Sequence, residues 1–261
     1  MQKIVLITGG SSGIGLAAAR QLAAMGHSVY ELSRSGQSSE NITHITGDVT
    51  DEQSVQAAVG AVVAREGRLD ILICSAGFGI SGAAETTALS DAKRQFEVNY
   101  FGTVSAVTAA LPHLRATHGR IVAVSSVAAI LPVPFQAHYS AAKAALNAFT
   151  LALASETAAH GVTVCAVMPG DTKTGFTGAR SKSADDGVYA ETVTRSVGRM
   201  ERDETHGMPS DAVARVVVKA ATKRRVRPFY TAGGVYRLFG VLAKVLPAGL
   251  ARWIEGRMYA K

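Results

Sequence analysis

Cysteine is scarce: Cys74 and Cys165 are the only two among 261 residues, and both fall in apolar runs of strand length. No disulfide framework is indicated, and two reduced core thiols are expected. Tryptophan occurs once and aromatics make up 6% of the chain. The interleaved aromatic and basic residues on which single-stranded nucleic acids stack are missing. No apolar run approaches the ~20 residues a bilayer-crossing helix needs; runs such as 4–7 and 121–124 are strand-sized. Met1-Gln2-Lys3-Ile4 leads straight into the first of them, without a signal-type apolar region or a small-residue cleavage site, so a cytosolic location is expected. Proline is outnumbered by glycine, seven to twenty-six, and neither a repeat nor a low-complexity stretch is present. That composition suits an ordered fold with many tight turns.

With 48% hydrophobic residues, a chain of this length can bury a large core as a single domain. The net charge of +7 is unevenly spread. Residues 219–261 hold ten Lys or Arg against Glu255 alone, which is +9 and leaves −2 for residues 1–218. A basic groove across the fold is therefore not expected, and no nucleic-acid partner or metal site is assigned.

Apolar segments at 3–8, 28–33, 41–46, 69–73, 120–125 and 162–167 alternate with helix-like segments at 13–25, 51–65, 91–117 and 138–160. Gly161 is placed to cap the last helix. Such alternation predicts an α/β fold, a doubly wound parallel sheet with helices on both faces. Ligands of such sheets lie outside the carboxyl ends of the strands, so the residues following each strand carry the functional information.

After the first segment comes Thr8-Gly9-Gly10-Ser11-Ser12-Gly13-Ile14-Gly15. Its glycines let the backbone turn tightly and approach a pyrophosphate at a helix N-terminus. The second segment ends in Ser33-Arg34, where an acidic residue would bind the ribose 2′-hydroxyl of NAD and repel a 2′-phosphate. A guanidinium grips a phosphate bidentately, with Ser33 or Ser11 as a further donor, so NADP(H) is preferred over NAD(H). Asp48-Val49 follows the third segment and is placed to meet the adenine; Asp48 is equally suited to cap the next helix.

Tyr139 and Lys143 stand four apart in a helical segment and share one face. A carbonyl that accepts hydride needs a proton at its oxygen, and a phenol near pKa ~10 must be brought down to exchange one near neutrality. A partly buried Lys143 ammonium is expected to help supply that shift. Ser126, ending the fifth segment, can hold the substrate oxygen, and Asn99 can bind a water joining the lysine to solvent. Taken singly, a strand-end serine or a helical asparagine more often satisfies backbone.

These motifs together resemble the short-chain dehydrogenase/reductase family, from Lys3 to about Tyr230. The match comprises the glycine pattern 8–15, Asp48, Asn99, Ser126 thirteen residues before Tyr139, Lys143, and Pro169-Gly170 after the sixth segment. The resemblance implies a Rossmann-type fold and a catalytic tetrad at Asn99, Ser126, Tyr139 and Lys143, with Tyr139 as general acid/base and Tyr139 and Lys143 also holding the nicotinamide ribose. It further implies cofactor contacts from Gly9, Ser11, Ser12, Gly13, Ile14, Gly15 and from Pro169, Gly170, Thr172 and Thr174. The family's Asn-Asn-Ala-Gly reads Cys74-Ser75-Ala76-Gly77 here, so contacts from Ser75, Ala76 and Gly77 are carried over with that departure. A homodimer or homotetramer through the helix bearing Tyr139 is also implied.

Residues 175–210 fall where the family carries its substrate lid, with Val188, Thr192, Val193, Val197 and Met200 on one expected helical face. Phe78, Ile80, Leu131, Val133, Phe135 and His138 are candidate pocket residues and suggest an apolar carbonyl or alcohol substrate. The resemblance is nearest to members acting on steroids, retinoids or other lipophilic alcohols and ketones. Residues 1–232 are taken as the main domain and 233–261 as a basic amphipathic helical extension. In that extension Val235, Leu238, Phe239, Leu242, Val245 and Leu246 form a stripe, followed after Pro247 by Leu250, Trp253 and Ile254. The extension suits packing over the pocket, a subunit interface, or peripheral attachment to an anionic membrane. Against an NADP(H)-dependent oxidoreductase stand two alternatives, a non-catalytic NADP(H) sensor and a membrane-associated binding protein; the joint presence of Asn99, Ser126, Tyr139 and Lys143 favours the enzyme.

Overall fold

The computed structural model describes residues 2–183, 185–245, 249, 250, 253, 256 and 257, with the side chains of 239 and 241–245 outside that description. The chain opens with β1 (Ile4–Thr8), α1 (Gly13–Ala24), β2 (Ser28–Ser33), β3 (Ile42–Thr46), α2 (Glu52–Glu66), β4 (Ile71–Cys74) and the short β5 (Ile80–Ser81). It continues through α3 (Leu89–Phe96), α4 (Gly102–Thr117), β6 (Arg120–Val124), α5 (Ala137–Thr157), β7 (Thr163–Pro169), β8 (Thr172–Lys173) and β9 (Ser181–Lys182). Last come α6 (Ala190–Thr205), β10 (Met208–Pro209), α7 (Ser210–Thr222), β11 (Phe229–Ala232) and α8 (Gly234–Val245).

Seven strands form one parallel sheet in the order β11-β7-β6-β4-β1-β2-β3. Val5 of β1 lies beside both Val29 of β2 and Ile71 of β4. Side chains alternate across each strand, which decides where they pack. Leu6, Leu72 and Ile121 enter a core with α2, α4 and α5, whereas Val5, Ile7, Ile73 and Val122 enter a second core with α1 and α7. The two thiols obey the same rule: Cys74 lies in the first layer and Cys165 in the second. Burial pushes both up to about 12.

The connection reverses between β1 and β4, so a crevice opens above their carboxyl ends. Two features brace the frame beneath it. Asp70 accepts from the Ile4 N–H at 2.9 Å and pairs with Lys3 and Arg68. Arg120, at the start of β6, donates to the carbonyls of Ala220, Ala221 and Lys223 at the end of α7, a cation on the negative end of a helix.

The six expected strands are present and a seventh, β11, extends the sheet beyond β7. The expected helix 91–117 is divided: a π-helical turn at Glu97–Phe101 joins α3 to α4 and carries Asn99. The helix at 138–160 is α5 followed by a 3-10 turn at Ala158–His160, closed by Gly161 at φ 75°. The parallel pair β5–β9 ties residues 172–209 to the body of the fold, and β8–β10 closes that segment on itself. Among the described residues, no helix is long and apolar enough to cross a membrane.

Candidate active site

The loop between β1 and α1 is held against the end of β4. A Cβ at Gly9 (φ 69°) would lie 2.7 Å from the Cα of Ala76, and one at Gly15 would lie 2.2 Å from the Gly9 carbonyl oxygen. Only hydrogen fits at either place. Ser12 is the N-cap of α1 without a side-chain hydrogen bond to the helix. The first-turn N–H groups are thus left for an anion, reinforced by the helix dipole. This backbone cradle fits a dinucleotide pyrophosphate.

Beside the loop is a cavity of 650 Å³ with a largely apolar wall. Of the expected site residues it brings together Gly9, Ser12, Gly13, Ile14, Ser75, Ala76, Gly77, Ser126, Tyr139, Lys143, Pro169, Gly170, Thr172 and Thr174. One helical turn of α5 sets Lys143 Nζ 5.9 Å from the centre of the Tyr139 ring, and Nζ donates to the Val124 carbonyl at 2.9 Å. Ser126 follows β6, and its Oγ accepts from the Ala128 N–H at 3.1 Å.

The electrostatics depart from the sequence expectation. Burial raises the Tyr139 phenol, the Ser126 hydroxyl opposes that rise, and Glu204 adds to it against Arg180. Burial also lowers the Lys143 ammonium to about 8. The lysine that was to depress the phenol is itself destabilised as a cation, because desolvation acts on both partners and disfavours each one's charged form. The protein's own groups keep the proton on Tyr139.

Asn99 does not line the cavity. It lies behind Gly77 and Phe78, where its amide accepts from the Phe78 N–H and donates to the Phe78 carbonyl, both at 2.9 Å. A Cβ at Gly77 would sit 3.1 Å from Asn99 Oδ1 and 3.6 Å from Lys143 Nζ, so Asn99 and Lys143 flank one glycine. Both ends of the Asn99 amide are committed to backbone, the satisfying role its residue type usually fills.

Ser11, Gly15, Ser33, Arg34, Asp48 and Val49 also lie outside the cavity lining. Gly15 is buried beneath the loop and Arg34 is exposed at the end of β2. Ser33 donates its hydroxyl to the Ser35 carbonyl at 3.0 Å, so that proton is already engaged. Asp48 is not the helix cap: its carboxylate accepts from the Thr50 N–H and hydroxyl, and Asp51 caps α2 by accepting from the Gln53 N–H. Val49 is buried against the Gly102 position of α4.

The far wall comes from later parts of the chain. Phe78, Leu131 and Val133 line it as expected, joined by Met200 from the expected lid segment, whereas Ile80, Phe135 and His138 do not. On α6, Val193, Val197 and Met200 are buried with Ala83, but Val188 is 94% exposed, because it precedes the helix on a 3-10 turn and leaves the expected stripe. No sequence signal pointed to Phe176, whose ring centre is 5.7 Å from that of Tyr139. None pointed to Arg180 either, which lies 5.7 Å over the Phe176 ring and is paired with Glu204. Glu204 also accepts from the Thr177 hydroxyl at 2.6 Å. From α8, Tyr236 lies over Gly170, where a Cβ would come within 2.3 Å of its ring, and its hydroxyl donates to Asp171. Burial raises the Asp171 carboxyl, which the Tyr236 hydrogen bond opposes and Asp203 and Glu204 reinforce.

Comparison with known proteins places this geometry. The short chain dehydrogenase family model matches residues 3–185. The 3-ketodihydrosphingosine reductase of Bacteroides thetaiotaomicron is 36% identical over 98% of this chain and 94% of its own. A short-chain dehydrogenase from Streptomyces avermitilis superposes with TM-score 0.82 at 31% identity, covering 98% of this chain and 97% of its own. The structure of ElxO with NADP bound gives TM-score 0.76 at 27% identity, covering 91% of this chain and 100% of its own. A glycine-cradled helix N-terminus beside Ser126, Tyr139 and Lys143, on a seven-stranded parallel sheet, thus goes with similarity along almost the whole sequence: the chain belongs to the short-chain dehydrogenase family of oxidoreductases.

Proposed function

We propose that this protein reduces a lipophilic ketone with NADPH, and that Tyr139 delivers the proton. The observation that carries the reading is the convergence of Ser126, Tyr139 and Lys143 on an apolar cavity that also reaches the glycine loop. Bound there, a nicotinamide supplies the hydride that the carbonyl carbon accepts. Gly9, Ser12, Gly13 and Ile14 would hold the cofactor's phosphates, with Thr174 beside Gly13. Ser126 Oγ donates a hydrogen bond to the carbonyl oxygen, and Tyr139 Oη donates the proton that turns this oxygen into a hydroxyl. A raised phenol suits reduction, since it holds its proton until negative charge develops on the substrate oxygen. Lys143, with its ammonium lowered to about 8, exchanges protons near neutrality and is suited to reprotonate the phenolate. Asn99 keeps the Gly77–Phe78 backbone in place rather than touching substrate.

NADP(H) is preferred because Arg34 stands exposed after β2, where a 2′-phosphate needs a cation. ElxO, a structural neighbour, holds NADP. Phe78, Leu131, Val133, Phe176 and Met200 offer apolar surface to the substrate, with residues 175–210 as its lid. The name of the Bacteroides relative makes 3-ketodihydrosphingosine the first ketone to try.

The test is NADPH oxidation by wild type and Tyr139→Phe against aliphatic, aromatic, steroidal, retinoid and long-chain keto substrates. The variant should lose roughly 10²–10⁴-fold in kcat while still binding NADPH. Tight NADPH binding without turnover of any carbonyl would favour the cofactor sensor. In parallel, Arg34→Asp should shift the ratio of NADPH to NADH affinity by about tenfold or more, one bidentate charged contact; an unchanged ratio removes Arg34 from cofactor choice.

A further inference from the structure

The two sides of α8 differ. Tyr236 lies against Gly170, and one turn later a Cβ at Gly240 would sit 3.5 Å from Ile130, so this side faces the fold. Leu238, about 200° around the helix from Tyr236, is 60% exposed, and Val235 is 63% exposed. Further along, Leu250 and Trp253 are exposed too, and the Arg257 guanidinium lies 5.2 Å over the Trp253 ring. Arg237 and Arg257 face solvent. Residues 233–261 carry five Lys or Arg against Glu255 alone.

Val235 and Leu238 share the exposed side of α8, and neighbouring exposed apolar side chains mark a surface that meets something other than water. A second copy of the chain fits poorly, because a two-fold contact sets the same patch against itself and opposes like cations. An anionic bilayer fits both properties, since its headgroup boundary accepts apolar and indole side chains while its phosphates meet the arginines. We propose that the exposed side of α8, with Leu250 and Trp253, docks on an anionic membrane surface, Val235, Leu238, Leu250 and Trp253 entering the headgroup boundary. Docking goes beyond the hydride chemistry and does not depend on it. Where the ketone-reductase reading also holds, the wall of the cavity formed by Tyr236 lies within about one helix diameter, ~10 Å, of the bilayer, and a lipid-like substrate has a short path out of it.

The chain carries its own probe, because Trp253 is the single tryptophan. Full-length protein is titrated with phosphatidylcholine vesicles, with and without phosphatidylglycerol, while tryptophan emission is followed. The expected result is a blue shift with the anionic vesicles, quenching by brominated lipid, and reversal by added salt. Val235→Asp/Leu238→Asp should weaken vesicle binding at least tenfold without changing thermal unfolding. Should that pair fail to fold, Arg257→Glu should reduce the preference for anionic vesicles at least threefold. An unchanged spectrum with either vesicle overturns the proposal. So does equal binding to both, or a shift that follows protein concentration without lipid, which would assign the face to self-association. Loss of turnover with vesicle binding intact would count against the reductase reading alone.

Discussion

At the scale of single residues, Lys143 shows what burying a charged group costs. Only 5% of it is exposed, and Nζ donates to the Val124 carbonyl. Its ammonium drops from 10.5 to about 8. Between those values the unfolded chain binds the proton that the folded chain releases, so this group makes stability rise with pH across the window. Below about pH 8 the folded protein carries the full cost of the charge, about 3 kcal/mol at 1.4 kcal/mol per pKa unit. Lys143→Met removes the cost. The unfolding free energy of wild type minus that of the variant should therefore increase from pH 8 to 10.5, and a flat difference would show that the site solvates the ammonium. Tyr139, Lys143 and Ser126 were legible because one helix and one strand end fix their spacing. Their protonation balance was not, since burial by distant elements leaves no mark on a local motif. The same limit hid the double commitment of the Asn99 amide to Phe78.

At the scale of elements, an ion pair ties the loop after β8 to α6. The Arg180 side chain has no exposed surface, and its partner Glu204 is 14% exposed. Arg180→Met leaves Glu204 with Thr177 as its remaining described partner and should destabilise the protein by about 3 kcal/mol in denaturant unfolding. Arg180→Met/Glu204→Leu should recover part of the loss, because it leaves no buried charge alone; no recovery would mean that Arg180 acts mainly by packing on Phe176. Neither partner stood out in the sequence, where Ala179-Arg180-Ser181-Lys182 reads as polar loop. Strands in the middle of the sheet were readable because burial on both faces demands unbroken apolar runs. The edge strand β11 was missed: Phe229 to Thr231 are only half-buried, and the strand sits between a basic run and Gly233-Gly234. The π turn at Asn99 was hidden inside a segment read as one continuous helix.

At the scale of the molecule, alternating apolar and helical segments were enough to read the doubly wound sheet, whereas the distribution of charge needed the structure. The basic run 223–227 lies at the amino end of β11, and α8 leaves from its carboxyl end, so the tail's cations belong to two opposite ends of the sheet. Of the C-terminal stripe, the Phe239, Leu242 and Val245 side chains, Leu246, Pro247 and Ile254 lie outside the described residues. The alternation that builds the two cores also distributes the cysteines, Cys74 toward α2 and α4 and Cys165 toward α1 and α7. Each layer therefore contains one chemical clock. A thiol reagent at pH 8 should react with neither thiol until its layer opens, at a rate set by the opening equilibrium. Equal rates in Cys74→Ala and Cys165→Ala would mean that the layers open together. A faster Cys165 would mean that the α1–α7 side peels away first, while the wall next to Ser75 stays closed.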